Sequence, residues 1–334
     1  MSIIWITWED HRRSRELSNS LGADYLFIKS SSNRFVKYIV SSVLTVLNII
    51  KCKPSVVICQ NPSIILSGLV VFLRNILSYR VVIDRHSNFK IEELSSKRIK
   101  WRIFHCISNY SLKNADLTIV TNDSAREYIS DIAGRVFVLP DLVPEIECNV
   151  NNLKSRIDFG ENTPIVVFVT TFDDDEPILE MINAAKCLSD CKIFFTGNYR
   201  KKIKNDQIDR LKLDNVEFTG FIPVLEYESL LCRSDVMVVL TTKDLILNCG
   251  AYEAISLVKP VVLSDTKTLR EYFGSSGVLY TKTDAASIEE SIRYAISNSE
   301  NLKNQLQKLK DLLNVDWSLK RKELLSILEG FERL

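Results

Sequence analysis

The chain has 334 residues, of which 46% are apolar and 25% are charged. This composition is typical of a soluble globular protein with room for two domains, and it argues against a disordered or fibrous chain. The net charge of +1 is unevenly divided, because residues 1–145 carry 19 Lys and Arg against 13 Asp and Glu. A basic first half favours an anionic partner such as a membrane surface, a phosphate-bearing acceptor or nucleic acid.

Short apolar runs of strand length alternate with longer amphipathic segments along the first half. Strands are predicted at 3–8, 25–28, 55–60, 80–84, 117–121 and 136–140. Helices are predicted between them, at 12–21, 33–50, 62–77, 96–114 and 123–133. Strands separated by helices indicate a parallel sheet with crossover connections.

The same alternation begins again after residues 140–163, which are rich in Pro, Asn and charge. The second set of strands is predicted at 165–171, 191–197, 216–221, 236–240, 260–264 and 278–282, and the chain from 284 onward has a helical pattern. The sequence therefore predicts an α/β fold of two doubly wound, Rossmann-like domains facing a central cleft. The domains are predicted at 1–145 and 160–315, with a C-terminal helix at 316–334 that packs back on the first.

The eight cysteines form no CxxC pair and no cluster with His at zinc-ligand spacing. Several lie inside apolar runs such as SVVICQ (55–60). We therefore expect reduced, mostly buried thiols, no metal, and a cytoplasmic protein. The N-terminal segment lacks the pattern of a signal peptide, and the longest apolar runs, 39–50 and 64–73, are too short to cross a bilayer.

The segment 236–265 reads as strand, loop, helix and strand, with the loop ending at Gly250 and the helix predicted at 251–258. A helix that begins beside glycine at the end of a parallel strand offers free N–H groups and a positive dipole to an anion. Glu253, in the predicted first turn, suits the hydroxyls of a nucleotide sugar. The alternative is a plain crossover in which Glu253 only favours the helix N-terminus. No GxGxxG follows the first strand and no GxxxxGK[ST] occurs, which disfavours dinucleotide hydride transfer and P-loop chemistry.

Three segments of the second half, 193–201, 215–241 and 250–265, resemble successive elements of the group 1 glycosyltransferases of bacterial polysaccharide and glycolipid assembly, which have the GT-B fold. The likeness covers residues 165–300, and the first domain resembles the family in architecture only. It implies a retaining hexosyltransferase without metal or other cofactor. The donor would be UDP- or GDP-linked, and the acceptor a saccharide or lipid-linked saccharide in surface polysaccharide assembly.

The resemblance also implies a donor site. Glu253 matches the second carboxylate of an E-x7-E motif, which holds the ribose, whereas Leu245 stands where the first should be and Asp244 is off by one. The loop whose N–H groups hold phosphates and sugar in the family corresponds here to Asn248, Cys249, Gly250 and Ala251. Further donor contacts are expected from Thr170, Thr171, Gly197, Asn198, Phe221, Thr242 and Lys243.

The chain departs from the family after the first strand of the second domain. Basic residues often neutralise the diphosphate there, but this chain reads VTTFDDDEPILE (169–180). If these acids lay near a diphosphate, they would repel it. We therefore expect them to form a solvated N-terminal cap for a helix at 177–188. Lys243, Lys201 and Arg200 are the candidates for the missing positive charge.

Two polar clusters follow strands of the first domain. Glu9, Asp10 and His11 follow the first strand, and Asp84 and His86 follow the fourth. A His or carboxylate with a pKa near neutrality can take the proton of an attacking hydroxyl. His86 matches in place the histidine that related retaining enzymes set beside the donor sugar, whereas many inverting enzymes of this fold hold their base at the end of strand one.

We therefore predict Asp84 and His86 as catalytic residues, with His11 and Glu9 after them; the alternative is that each histidine is an ordinary loop residue. The remaining histidine, His105, is predicted to be structural.

The helix at 96–114 places Lys97, Arg98, Lys100 and Arg102 beside apolar residues. Such a basic amphipathic helix can lie on an anionic membrane, which would make the protein peripheral at the inner face of the cell membrane. The alternative is a core-facing helix with a basic outer face. Neither nucleic acid nor a metal is an expected partner. Two rival functions stay open, a nucleotide-sugar 2-epimerase on the same fold and a non-catalytic GT-B scaffold subunit.

Overall fold

The computed structural model describes residues 2–29, 34–61, 63–87, 90–148, 163–203 and 214–331, with backbone only at 34 and 35. The chain divides into two compact units, residues 1–142 with 315–334, and residues 143–314. The predicted domain start at residue 160 and the last three residues of the predicted C-terminal helix lie outside the described residues.

The first unit is built on a parallel sheet of six strands. They are β1 (Ile3–Thr7), β2 (Asp24–Phe27), β3 (Val56–Gln60), β4 (Arg80–Arg85), β5 (Leu117–Val120) and β6 (Val136–Val138). Their order across the sheet is β2-β1-β3-β4-β5-β6. The order reverses between β1 and β3, and ligands of open α/β sheets bind at the carboxyl ends of strands beside such a reversal.

Five helices and a 3-10 turn at Ile91–Glu93 connect these strands. The helices are α1 (Arg12–Ser20), α2 (Arg34–Cys52), α3 (Ile64–Leu77), α4 (Ile99–Asn114) and α5 (Asp123–Ile129). One face of the sheet is covered by α1 and by the end of the C-terminal helix, which contributes Trp317, Leu324 and Leu328. The other face is covered by α2 and α3.

The second unit also has a parallel sheet of six strands. They are β7 (Ile165–Phe168), β8 (Lys192–Thr196), β9 (Val216–Gly220), β10 (Val236–Val239), β11 (Val261–Ser264) and β12 (Val278–Thr281). The order β12-β11-β10-β7-β8-β9 is that of the dinucleotide-binding Rossmann sheet. Its reversal lies between β7 and β10.

The helices of the second unit are α6 (Ile178–Cys187), α7 (Val224–Arg233), α8 (Cys249–Ser256), α9 (Lys267–Phe273), α10 (Ala285–Ser297) and the first half of α11 (Ser299–Gly330), with a 3-10 turn at Tyr199–Lys201. The two halves of α11 belong to different cores. Leu306, Leu309 and Leu313 pack in the second unit, and the residues from Trp317 onward pack in the first.

The predicted alternation of strands and helices is confirmed, but the prediction for the cysteines is wrong. Cys148 and Cys232 form a disulfide. Of the described free thiols, only Cys59 and Cys191 are buried, and Cys52, Cys106, Cys187 and Cys249 are exposed. Reduced, buried thiols therefore no longer support a cytoplasmic location. Among the described helices, none is both long and apolar enough to cross a membrane.

Candidate functional site

The start of α8 lies against the ends of β7 and β10, at the reversal of the second sheet. A Cβ on Gly250 would come within 2.9 Å of Val169 and 3.1 Å of Val239, so only glycine lets the helix begin this close to both strand ends. The free N–H groups of the first turn therefore lie at the crevice where Rossmann sheets hold phosphates.

Glu253 lies two residues further into α8 than the sequence predicts, because the helix begins at Cys249. The dipole effect falls off within the first turn, so the position does not serve to stabilise the helix N-terminus. Its side chain is almost fully buried and accepts a hydrogen bond from the Tyr227 hydroxyl at 2.5 Å. The buried Oδ1 of Asn248, the residue preceding the helix, accepts no hydrogen bond from any described group. Both groups are acceptors suited to sugar hydroxyls.

Leu245 and Asp244 do not reproduce the missing carboxylate of the family motif. Leu245 has a positive φ of 64°, which is uncommon for a residue with a side chain. Asp244 Oδ1 accepts hydrogen bonds from the N–H groups of Leu245 (2.9 Å) and Thr268 (3.2 Å). Burial raises the pKa of Asp244, but these hydrogen bonds outweigh burial and lower the pKa. The carboxylate thus holds the loop to the first turn of α9.

The loops after β7 and β8 are locked together by Thr170 and Gly197. The Thr170 hydroxyl donates to the Thr196 carbonyl at 2.6 Å, and its N–H donates to the Thr196 hydroxyl at 3.0 Å. Gly197 has a φ of 84°, and a Cβ there would lie 2.2 Å from the Thr170 carbonyl oxygen. Both residues therefore shape the loops, and Thr170 directs its polar atoms into them.

The acidic run after β7 pairs with both lysines that the sequence offers as diphosphate ligands, Lys201 and Lys243, and with Lys202. Lys201 lies 3.0 Å from Asp173, Lys202 lies 2.8 Å from Asp174, and Lys243 lies 3.5 Å from Asp175. Asp175 also accepts a hydrogen bond from the Thr241 hydroxyl at 2.9 Å. We call this set of ion pairs the acid–lysine cluster.

The expected helix cap is not what these acids form. Helix α6 begins at Ile178 after Pro177, with no side-chain cap. The Glu176 carboxylate instead accepts hydrogen bonds from the N–H groups of Thr171 (2.9 Å) and Asp173 (3.2 Å). The acids thus close the loop on itself and neutralise its lysines.

The remaining predicted donor residues differ in exposure. Phe221 is 84% exposed, Thr171 and Thr242 are exposed, and Asn198 is half-buried at the start of the 3-10 turn. The Thr242 hydroxyl donates to the Asp175 carbonyl at 3.1 Å. Arg200 lies over the ring of its neighbour Tyr199, at 5.6 Å from the centroid. The edge of the second sheet thus combines a fixed crevice at α8 with exposed groups around it.

A buried ion-pair network lies at the carboxyl edge of the first sheet. Arg13 donates to Asp84 through Nε (3.0 Å) and Nη2 (2.8 Å) and to Asp141 through Nη1 (2.5 Å). Burial alone would raise the pKa of Asp84, but Arg13 and His86 outweigh it and hold the pKa far below its usual value. Burial alone would lower the pKa of Arg13, but the two carboxylates outweigh burial and raise the pKa above its usual value. Arg13 and Asp84 are therefore both charged at neutral pH.

Asp84 connects this network to the two predicted histidines. Its Oδ2 lies 3.0 Å from His86 Nδ1, and the His86 ring stacks on His11 with centroids 4.8 Å apart. Burial, and then the proximity of His86, lowers the pKa of His11. The structure thus brings Asp84, His86 and His11 together, while Glu9 is exposed. Asp84 is fully buried.

Comparison with known proteins identifies the second unit. Residues 149–310 match the model of the family described as glycosyl transferases group 1. The second unit is a group 1 glycosyltransferase domain. A comparison with curated protein sequences gives no match.

Solved structures match both units of the chain. Sucrose-phosphate synthase from Thermosynechococcus elongatus is 14% identical, covers 100% of this chain and 99% of its own, and has a TM-score of 0.79. Anabaena HepE in complex with UDP and glucose is 14% identical, covers 99% of this chain and 100% of its own, and has a TM-score of 0.76. A putative UDP-N-acetylglucosamine 2-epimerase from Listeria monocytogenes is 10% identical, covers 100% of this chain and 97% of its own, and has a TM-score of 0.62. These likenesses confirm the predicted GT-B fold.

Sequence reasoning missed two members of the buried network at the first sheet. Arg13 lies within the predicted helix at 12–21 but is not singled out, and neither is Asp141, 128 residues later. The sequence holds one usable signal, because Arg13 lies on the same helical face as Leu17 and so points toward the core. In the described part of the chain, no group of three or more His, Cys, Asp or Glu is placed to hold a metal ion.

Proposed function

We propose that the protein transfers a sugar from a UDP- or GDP-linked donor to a saccharide or lipid-linked saccharide acceptor in surface polysaccharide assembly. The observation that carries this proposal is the buried Glu253 beside a glycine-started helix at the reversal of a Rossmann sheet. Structures of Anabaena HepE contain UDP and UDP-glucose, which supports a nucleotide-sugar donor for this fold.

In this proposal the donor binds along the start of α8. The N–H groups around Gly250 and Ala251 receive the diphosphate, and Glu253 accepts hydrogen bonds from the ribose hydroxyls. A carboxylate has about four acceptor sites, and the Tyr227 hydroxyl uses one of them. Asn248 is the candidate acceptor for a hydroxyl of the transferred sugar, because its buried Oδ1 accepts no bond from the described residues.

The diphosphate must also exchange partners with the acid–lysine cluster. Lys201 and Lys202 are 42% and 33% exposed, and their acids are more exposed still. Exposed pairs of this kind are worth about 0–1 kcal/mol each, so a diphosphate can replace a carboxylate on a lysine at little cost. The charge that the sequence lacks after β7 is then supplied by lysines that change partner.

The transfer forms one bond and breaks one. An acceptor hydroxyl attacks the anomeric carbon on the face from which the diphosphate departs, the bond from that carbon to the diphosphate oxygen breaks, and the nucleoside diphosphate leaves with the electron pair. The hydroxyl proton passes to a base, for which we propose His86 or its stacked neighbour His11, with Glu9 as the exposed alternative. Asp84 fixes the His86 tautomer rather than touching substrate. We propose retention of the anomeric configuration and no metal requirement, with backbone N–H groups and lysines stabilising the leaving group.

Calorimetric titration with UDP and GDP tests the donor site. Replacing Glu253 by Ala should weaken nucleotide binding by about 1.5–3 kcal/mol, roughly 10- to 150-fold, because a charge-assisted hydrogen bond to ribose is lost. Glu300→Ala, which removes an 87% exposed glutamate from α11, is the matched control and should bind as the wild type does. Equal affinity of the Glu253 variant and the wild type would show that the ribose binds elsewhere.

Two other functions have specific support. The likeness to the Listeria epimerase favours a nucleotide-sugar 2-epimerase, although the TM-score is lower than for the transferases. Leu245 and the neutralised lysines favour a non-catalytic scaffold. Binding of a nucleotide sugar followed by 2-epimerisation without transfer would support the first, and no binding of any nucleoside diphosphate would support the second.

We also propose that the acceptor is held by the first unit and that the protein works in the cytoplasm, peripheral to the inner face of the membrane. In α4, Ile99 and Ile103 are 71% and 53% exposed, and Lys100 and Arg102 are exposed between and beside them. This pattern supports the predicted contact of residues 96–114 with an anionic surface. Separation of cell fractions, followed by detection of the protein with and without a high-salt wash, tests this location.

A further inference from the structure

The outward face of α2 is more apolar than the face that packs on its own unit. The inward side places Ser41 and Thr45 in full burial, with Ile49 one turn further. Thr45 accepts a hydrogen bond from Trp8 Nε1 at 3.0 Å and donates to the Ser41 carbonyl at 2.7 Å. Polar side chains thus anchor this helix to the protein.

The outward side carries seven apolar side chains that are each 38–65% exposed: Val36, Ile39, Val40, Val43, Leu44, Leu47 and Ile50. We call this surface the α2 face. Their spacing of three and four residues makes a continuous stripe along the helix, which at 19 residues is about 28 Å long. A surface helix normally turns its apolar stripe inward, and large exposed apolar patches mark interaction sites.

Neighbouring helices add to the apolar surface. Helix α3 packs against both α2 and α4. It exposes Phe72 (62%) and Ile76 (65%), one turn apart. Helix α4 exposes Ile99 and Ile103. Three adjacent helices of the same layer therefore present apolar side chains outward.

The charge around the α2 face has one sign. Helix α2 contains no Asp or Glu, and Lys51 and Lys53 are exposed at its C-terminal end. Helix α4 starts with the cations Lys100 and Arg102. A second copy docked by twofold symmetry would bring only basic charged residues of α2 and α4 into the interface, with no acid on these helices to pair with them, which is unfavourable. Anionic lipid headgroups would instead be attracted to each cation near the surface.

We propose that the α2 face docks on an anionic lipid bilayer, with α2 lying parallel to the membrane surface. The helix does not cross the bilayer, because its other side is fixed to the protein and no described helix is apolar enough to span. The apolar stripe enters the boundary between headgroups and acyl chains, and the lysines contact headgroups. This surface is separate from the donor site, so the proposal holds whether or not the protein is a transferase.

Sedimentation of the full-length protein with lipid vesicles tests the proposal. The probes are vesicles of phosphatidylcholine alone and vesicles with about one third phosphatidylglycerol. We expect the wild type to sediment with the anionic vesicles at low salt and to bind the neutral ones more weakly. In the triple variant Ile39→Gln, Val43→Gln, Leu47→Gln the partition coefficient should fall about 100-fold, because three apolar side chains no longer insert.

The matched control is the triple variant Leu179→Gln, Leu312→Gln, Leu319→Gln. These leucines are 61–68% exposed on α6 and α11, so the same chemical change is made away from the α2 face. The control should sediment as the wild type does. A second variant, Lys51→Gln with Lys53→Gln, should lose part of the preference for anionic vesicles while folding unchanged.

Two outcomes would overturn the proposal. The first is a failure of the vesicle assay: either the wild type never sediments with anionic vesicles, or the α2 triple variant sediments as well as the wild type. The other is a concentration-dependent dimer in analytical ultracentrifugation that the α2 variant abolishes, without vesicle binding, which would assign the face to a second copy of the chain. UDP binding measured on the same samples separates this result from the fate of the donor site.

Discussion

The carboxyl edges of the two sheets both carry ion pairs, but the pairs differ in burial. At the first sheet, the side chains of Arg13 and Asp84 are 1% and 0% exposed. At the second, those of Asp173 and Asp174 are 60% and 95% exposed. A buried pair cannot be opened without leaving a charge in a low-dielectric interior, whereas an exposed pair exchanges with water and salt. The first edge therefore fixes the position of a histidine, and the second offers charges that a ligand can rearrange.

The largest expected effect comes from breaking the buried pair. Asp84→Asn should lower the free energy of unfolding by about 3–5 kcal/mol, because Arg13 then keeps a buried charge with less compensation. Asp173→Asn, the exposed counterpart, should cost less than about 1 kcal/mol. Urea denaturation of both variants measures the difference. Similar losses would show that burial does not distinguish the two edges.

The wild type and Asp84→Asn can also be compared as a function of pH. The pKa of Asp84 is depressed in the folded state, so its contribution to stability is present above the unfolded carboxyl pKa and is lost as pH falls through the folded value. The stability gap between the wild type and Asp84→Asn should therefore persist down to pH 4 and close only in stronger acid.

The close approach of the loops in the second unit predicts the next largest effect. Gly197→Ala should destabilise the protein by about 2 kcal/mol or more, because its Cβ would overlap the Thr170 carbonyl and its φ is positive. Gly134→Ala is the control, since a Cβ there meets nothing within 4 Å. Thermal unfolding of the two variants provides the measurement. A Gly197 variant as stable as the control would mean that the two loops can separate.

A smaller effect is expected on ligand affinity when the exposed acids lose their charge. Asp173→Asn with Asp174→Asn should raise the affinity for UDP about 3- to 10-fold, because Lys201 and Lys202 no longer have competing carboxylates. The gain should shrink as salt is added. Asp190→Asn is the control, since Asp190 pairs with Arg293 on other elements. Weaker UDP binding in the double variant would show that the acids support the loop instead of competing with the ligand.

The smallest expected effect is on the pH dependence of stability through His11. Its pKa is lowered by burial from the ordinary 6.5, so below about pH 6.5 the unfolded chain binds more protons than the folded one. The free energy of unfolding should therefore decrease as the pH is lowered through that range. His11→Gln should make the slope of this free energy against pH shallower. Glu9→Gln, two residues away and exposed, should leave the slope unchanged. Denaturation midpoints at pH 7.0 and 5.5 measure it.

The fold was predictable because both sheets are parallel and buried. Each strand reads as a short apolar run, such as VMVVL at 236–240, which became β10 (Val236–Val239). Element ends were less certain, and α8 begins at Cys249 rather than at residue 251. A helix start depends on local packing, here that of Gly250 on two strand ends, which a linear pattern does not contain.

The site was only partly predictable, because its partners are distant in sequence. His86 and Asp84 are two residues apart and could be grouped by inspection, but Asp141 joins them from another strand end. The pairing of Asp173 with Lys201 and of Cys148 with Cys232 likewise depends on tertiary structure. Composition and spacing indicate which chemical groups are present, and the topology decides which of them meet.

The division of α11 between two cores bears on how the protein is made. Leu324 and Leu328 complete the core around Trp5, yet they are synthesised only after the whole of residues 143–314. Residues 143–314 form a unit that is contiguous in the chain, so it can fold while synthesis continues. The sheet of the first unit must wait for the residues from 315 onward, and until then its apolar face is exposed to chaperones.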